Sequence, residues 1–512
     1  MAPVLAVTLS LLILEPDMPT RKAPHPARTA PAPAAAKAAA RKGRQPQASP
    51  DPAAAALLQA LNPHAAGIDV GTTDLWVAFP PGTPLPPPPP GHPDNLPANV
   101  RRFGTFTADL EALAEMLHRA GVTTAALEAT GVYWIPLYDV LEARGLRPLL
   151  ADPRQTRDTP GRPKTDVKDC MWIQRLHSLG LLRAAFRPDD PIRVLRDYQR
   201  HRKGLVEDQS RCVLRMQKAL EQMNVKLTEV VSDVTGVTGL AIIKAIVAGE
   251  RDAKVLAGLR QRGCKNDEAT IALALQGNWR AEHLFELGQC LKTYEHYRGQ
   301  VAECDRAIEA HLKTMALPEK PEPLPAGKEA GRRRCGNEPH FDARQRLYEA
   351  VGVDLTAIEG IGAGTALAIL SEIGTDMSRW ASEKKFGSWL GLAPNPKKSG
   401  GRLKSAKTRP GASRAALAFR LAARSLIHSK SALGAFLRRI AARRGMPKAI
   451  TATAYKLARI VYGMLKHGAA YAAKGAEEYE KAYRERAVRG LRRKAAELGL
   501  EVVEKQTAAQ PA

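Results

Sequence analysis

Four acids and one serine stand in surroundings that call for a chemical explanation. Asp69 falls inside "AGIDVG" and Glu128 inside "AALEATG", two runs that are otherwise apolar or small. A carboxylate in such a run is expensive to bury unless it is paired or used. Asp166 and Asp169 are three apart in "TDVKDCMWIQRLHSLG", a spacing that sets both on one helix face. Two strand acids and a helical pair meeting at one sheet edge would offer hard oxygen ligands to one or two Mg²⁺ ions, with Mn²⁺ as the alternative. Such ions activate a nucleophile and neutralise charge on a phosphodiester undergoing displacement. Taken singly, the four acids read equally well as surface or capping residues. Asp74, in "GTTD", and Asp152, before Pro153, read as turn and strand-end acids.

The serine is Ser399, in "NPKKSGG". From Lys384 to Ala476 there are 21 lysines and arginines and no acid. A solvated surface normally mixes both signs, so this stretch is built to meet a polyanion. A serine hydroxyl is a poor nucleophile at neutral pH and needs activation. Lys397, Lys398 and Arg402 would lower its pKa and hold a phosphate, while Gly400 and Gly401 would let backbone approach DNA. On the residues alone, a loop serine that merely contacts phosphate is the simpler reading. Ser405 and Ser413 are its nearby rivals.

The formal charge of +25 and pI near 9.9 belong to the whole chain and favour a nucleic-acid partner. Six cysteines show no C-x-x-C pair and read as reduced cytosolic thiols, which excludes a disulfide or zinc framework. The opening "MAPVLAVTLSLLILEP" lacks a basic n-region and is too short to span a bilayer. Met18 opens a more ordinary start. No membrane partner is expected.

These residues need elements to position them. Residues 1–60, rich in Ala, Pro, Lys and Arg, predict a disordered basic arm. "HAAGIDVGTTDLWVAF" predicts a β-hairpin, followed by a stiff proline string at 80–93. "FTADLEALAEMLHRAG" predicts a helix after a threonine cap. Strand, helix, strand and a Thr165-capped helix follow, a mixed α/β domain over 64–185. From 191 to 315, Leu205, Cys212 and Ala219, and later Leu287, Tyr294, Val301 and Ile308, repeat every seven residues. They predict an antiparallel hairpin, an intermolecular coiled coil or an ordinary bundle. A flexible linker (316–344), a second helical domain (345–475) and a charged tail (476–512) complete the chain. "IEGIGAGTALAILSEIG" resembles a helix-hairpin-helix, in which Gly360 and Gly362 would bring backbone N–H groups to a phosphate. A tight helix–helix turn without a ligand is the alternative.

"GIDVG", "LEATGVYW" and "KTDVKDCMWIQRL" resemble the DEDD motif of the bridge-RNA-guided transposases of bacterial insertion sequences. "IEGIGAGTALAILSEIG" and "FGSWLGLAPNPKKSGG" resemble that family's C-terminal transposase domain, and the order matches over roughly residues 64 to 470. The resemblance implies an N-terminal RNase H-like fold of the RuvC type, a coiled-coil segment and a C-terminal helical domain. It implies that Asp69, Glu128, Asp166 and Asp169 bind metal and that Ser399 is the nucleophile. It further implies donor and target DNA, a structured guide RNA, a dimer-built tetramer, and a bacterial cytoplasmic, nucleoid-associated location. The proline insert, basic arm and linker depart from the pattern. Two other activities remain compatible with the residues: a metal-dependent, structure-specific junction endonuclease, and a non-catalytic nucleic-acid-binding protein.

Overall fold

The computed structural model describes residues 60–87, 96–129, 131–156, 165–317, 323–324, 337–411, 413–468 and 476–503. The expected basic arm, the end of the proline string and most of the expected linker therefore lie outside the described residues. The described residues divide into two units, one ending at Arg187 and the other beginning at Pro188.

The first unit is built on five strands: β1 (Ala65–Val70), β2 (Leu75–Ala78), β3 (Val100–Phe103), β4 (Thr124–Glu128) and β5 (Arg147–Ala151). Their order across the sheet is β3-β2-β1-β4-β5. β1, β2 and β3 pair antiparallel, whereas β1 with β4 and β4 with β5 are parallel. Central β1 is covered on both faces, which is why it reads as a nearly unbroken apolar run. Leu110, Leu113 and Leu117 of helix Thr107–Arg119, with Leu137 and Leu141 of helix Trp134–Ala143, cover one face. Each such buried leucine contributes ~1.5–3 kcal/mol. Cys170, Ile173 and Leu176 of helix Asp166–Ser178 cover the other.

The sequence predicts no strand at "VRRF", yet β3 forms there. Its two arginines hide the alternation of a half-buried strand. Arg101 is buried because its guanidinium donates to the carbonyls of Ala98 (3.1 Å), Val100 (2.8 Å) and Pro86 (2.9 Å). The threonine cap expected for the first helix is also displaced. The helix starts at Thr107, and the preceding Phe106 N–H donates to Asp109 Oδ2 at 3.1 Å. Thr165 does cap its helix, accepting from Lys168 N at 3.3 Å.

His177, on the last turn of helix Asp166–Ser178, is buried against β4. Thr124 Oγ1 donates to Arg147 O (2.7 Å) and therefore accepts from His177 Nε2–H (2.9 Å), which sets the neutral tautomer. Burial pushes the imidazole pKa down to about 4. The unfolded chain thus takes up a proton near pH 6.5 that the folded chain refuses until about pH 4. The stabilising contribution is complete above pH 6.5 and shrinks by ~1.4 kcal/mol per pH unit below it. Denaturant titrations from pH 7 to 5 should show this slope in the native chain. His177→Gln, which keeps a donor to Thr124, should lose it.

In the second unit, helices Asp190–Gln222 and Ala281–Thr314 run antiparallel. His311 Nε2 sits 2.7 Å from Pro191 O near one end, and Cys212, Met216 and Met223 share a core with Leu287 and Leu291 towards the other. Arg202 and Asp305 form a buried ion pair between them (2.5 Å). The seven-residue repeats are therefore consumed by packing within one chain. Of the three arrangements the spacing allowed, the antiparallel pair is the one observed, and the surface expected to join protomers is covered by the chain itself.

The remainder of this unit is helical, with helix Met446–His467 against helices Ala432–Arg444, Arg414–Ser425 and Glu383–Trp389. One hairpin interrupts the helices, β6 (Lys397–Ser399) with β7 (Arg402–Ser405). No described helix is long and apolar enough to cross a membrane. The five described cysteines are free.

Candidate active site

β1 and β4 run side by side with Ile68 opposite Leu127. The next residue on each strand is an acid, so Asp69 and Glu128 leave the sheet together at its carboxyl edge. That edge is where open parallel sheets place their ligands. Asp166 and Asp169 occupy the first turn of helix Asp166–Ser178. What brings that turn to the sheet edge is Gly67. A Cβ built on Gly67 would lie 2.1 Å from Gln174 N and 2.5 Å from Cys170 O, so the helix backbone rests directly on β1. Gln174 Nε2 then donates to Ala65 O at 3.2 Å, fixing the helix along the strand.

The result is a cleft of about 730 Å³ lined by Asp69, Glu128, Asp166 and Asp169, with Asp74, Trp76, Thr156 and Trp172 among its other walls. The four carboxylates that spacing and neighbours singled out thus share one cavity. Asp74 is held differently. Arg102 donates to its Oδ1 from Nε (2.8 Å) and Nη2 (2.5 Å), across the β2–β3 pair, which makes it an ion-paired turn residue. Asp152 Oδ1 accepts from Arg154 N at 2.9 Å at a strand end, as expected.

Thr156 was not singled out by sequence. Its hydroxyl donates to Glu128 Oε2 at 2.7 Å from the one-turn helix Pro153–Thr156. It orients the carboxylate as partners of metal ligands commonly do. A lone threonine 28 residues away carries no local signal for that role. Cys170 lies beside the acids, and burial together with the Asp69 charge pushes its thiol up to about 12, so it is inert as a nucleophile.

The donor set is four carboxylates without histidine or cysteine, and it suits a hard divalent cation such as Mg²⁺, Mn²⁺ or Ca²⁺. Among the described residues, no three acid, histidine or cysteine side chains are already gathered as a ligand cluster. The acids line the cleft walls rather than converge on one point.

Ser399 belongs to the second unit and ends β6. Gly400 and Gly401 form the turn, with φ +55° and +74°. Both central residues of a tight hairpin turn of this kind need positive φ, which explains the paired glycines. Ser399 stands opposite Arg402, and Lys398 opposite Leu403. Side chains alternate across a strand, so Arg402 and Lys404 share the serine's face and Lys398 lies on the other. Lys397 and Lys398 are separated by an irregularity in the pairing. All of these cations are exposed.

The rival serines are committed elsewhere. Ser413 Oγ caps helix Arg414–Ser425 by accepting from Ala416 N (3.3 Å), and Ser405 Oγ accepts from Lys407 N (3.2 Å). Among the described residues, no hydrogen bond is made by the Ser399 hydroxyl.

The glycine turn is occupied by its own unit. Gly360 has φ +87°, and a Cβ there would meet Ala422 O at 2.7 Å. Its close approach is thus to helix Arg414–Ser425. Gly362 precedes helix Ala363–Ile373, and the element before the turn is a single 3₁₀ turn, Leu355–Ala357, in place of the first α-helix of a full helix-hairpin-helix.

An acid-lined cleft and an exposed cationic hairpin on one chain are features of a protein that handles a polyanion. Two family models identify which kind. A DEDD-type transposase model of the IS110 group matches residues 92–225, and one described as the transposase IS116/IS110/IS902 family matches residues 354–438. The chain carries these two IS110-family transposase domains and is a DNA transposase, a recombination enzyme of insertion sequences. No curated protein matches it. The first match contains Glu128, Thr156, Asp166 and Asp169 and begins after Asp69; the second contains Gly360, Gly362 and Ser399. The DEDD class implies dependence on a divalent metal.

Proposed function

We propose that this transposase cuts and rejoins insertion-sequence DNA through a transient serine ester at Ser399. An RNase H-like first unit would supply the acids Asp69, Glu128, Asp166 and Asp169 for Mg²⁺. The observation that carries this reading is that those acids, drawn from three separate segments, line one cleft. Bound Mg²⁺ would supply charge neutralisation at the phosphodiester. Thr156 orients Glu128 for that role.

At the hairpin, Arg402 and Lys404 hold the phosphate on the serine's face. The Ser399 hydroxyl passes its proton to solvent water as Oγ forms a bond to phosphorus, and one bridging P–O bond breaks. The departing sugar oxygen takes up a proton from solvent water and leaves as a hydroxyl. Reversal with a different sugar hydroxyl rejoins the strand, and the ester conserves the bond energy that hydrolysis would discard. The resemblance to bridge-RNA-guided transposases supports selection of donor and target by a structured RNA, and action as a dimer-built tetramer in the bacterial cytoplasm.

Replacing Asp69, Glu128, Asp166 or Asp169 singly by Asn should each reduce Mg²⁺-dependent strand transfer by about 10²-fold or more. Thr156→Val should cost roughly 10–100-fold and be partly recovered at raised Mg²⁺, because it disturbs a ligand without removing it. Strand transfer on supercoiled plasmid, titrated with Mg²⁺, measures both. Two acid variants recombining at the native rate would refute the metal site.

A further inference from the structure

Among the described residues, the wall of the acid cleft holds no lysine or arginine. A DNA strand brings a negative charge with every nucleotide, so a strand drawn across carboxylates is repelled on both sides of the phosphodiester that reacts. A cation does stand at the rim where that charge would be met. Asp69 lies opposite Trp76, and Trp76 opposite Arg102, so the three share one face of the sheet across β1, β2 and β3. Two strand spacings, about 10 Å, separate Asp69 from Arg102 along this row. The Arg102 guanidinium is held against the cleft wall from two directions. Nε and Nη2 donate to Oδ1 of Asp74, and Cζ lies 5.8 Å from the ring centroid of Trp76. Asp74 and Trp76 both line the cleft.

Of the two arginines of β3, Arg101 is buried and spent on loop carbonyls. Arg102 is exposed, and its Nη1 makes no hydrogen bond among the described residues. An arginine anchored along one side of its planar fork and open on the other is pre-organised to take a phosphate. We propose that Arg102 binds a DNA phosphate neighbouring the phosphodiester that Asp69, Glu128, Asp166 and Asp169 engage. Phosphate contacts set register, so Arg102 fixes which phosphodiester of the strand comes to rest among the acids. This rests on DNA as the cleft's substrate, and is independent of the serine ester.

The test is strand cleavage by the full chain on insertion-sequence DNA. The cut is mapped first, and a single neutral methylphosphonate is then placed, one per substrate, at each phosphate flanking it. With the native chain, one neighbouring position should raise KM roughly tenfold, the loss of one charge-assisted contact. Arg102→Gln should raise KM by about the same factor on unmodified DNA and lower kcat far less. It should also be indifferent to methylphosphonate at that position while keeping the native response elsewhere. Its binding should depend on salt less steeply, by about one phosphate. Arg102→Lys should recover part of the loss, since charge returns without the fork. Arg119→Gln, which removes an exposed arginine paired with Glu115 on helix Thr107–Arg119, is the control and should match the native chain. Native KM in Arg102→Gln, or an unchanged methylphosphonate pattern whatever its KM, would overturn the proposal and leave Arg102 as a surface ion pair of the β2–β3 strands. A native chain that cuts no insertion-sequence DNA would instead remove DNA from the cleft, and the proposed function with it.

Discussion

Ser399→Ala is expected to abolish both cleavage and rejoining while leaving DNA binding within about twofold. The lysines, arginines and glycine turn of the hairpin remain, and the lost hydroxyl makes no hydrogen bond among the described residues, so folding should be untouched. Removal of a nucleophile from a concerted catalytic set reduces turnover by several orders of magnitude, roughly 10⁴–10⁶-fold. A denaturing gel of end-labelled DNA after reaction should show a protease-sensitive, retarded band with the native chain and none with Ser399→Ala. Arg402→Ala, which empties the position directly opposite the serine, should reduce the same band far more than Lys398→Ala, whose side chain is on the other face. If Ser399→Ala still cuts efficiently, water is the nucleophile, and the acid cleft acts alone as a metal-dependent endonuclease.

Gly67→Ala should be the most damaging single methyl group in the first unit. Its Cβ would sit 2.1 Å from a backbone nitrogen and 2.5 Å from a backbone oxygen of helix Asp166–Ser178, and neither can rotate away. Overpacking in cores costs ~1–3 kcal/mol, and backbone-to-backbone conflict belongs at the upper end or above it. The helix must lift from β1, and with it Asp166 and Asp169 leave the cleft. Thermal unfolding should therefore fall by several degrees and strand transfer should fall as far as in the acid variants. Full activity in Gly67→Ala would show that the cleft tolerates displacement of its helical acids. By contrast, Gly121, where an added Cβ meets nothing within 4 Å, is a control for methyl addition at a positive-φ turn.

Much about this protein was settled by local sequence. Acids embedded in apolar strands and a helical pair three apart pointed to one acid-lined cleft, because a carboxylate is costly to place among apolar neighbours without a use or a partner. An acid-free cationic stretch announced a polyanionic partner. The seven-residue repeats announced two long helices. Each of these signals is local: it depends on spacing along a few turns or a few strand residues. What tertiary structure decided is which distant pieces meet. β3 was invisible because Arg101 satisfies its donors on carbonyls of the surrounding loops, including Pro86, fifteen residues away. Thr156 and Gly67 gained their roles only when a one-turn helix came under Glu128 and a helix backbone came down on β1. The long helices found each other within the chain, since a buried Arg202–Asp305 pair is satisfied only where the two meet. The turn at Gly400 and Gly401 placed Arg402, and not the adjacent lysines, beside Ser399, because strand pairing sorts side chains by face where sequence sorts them only by distance.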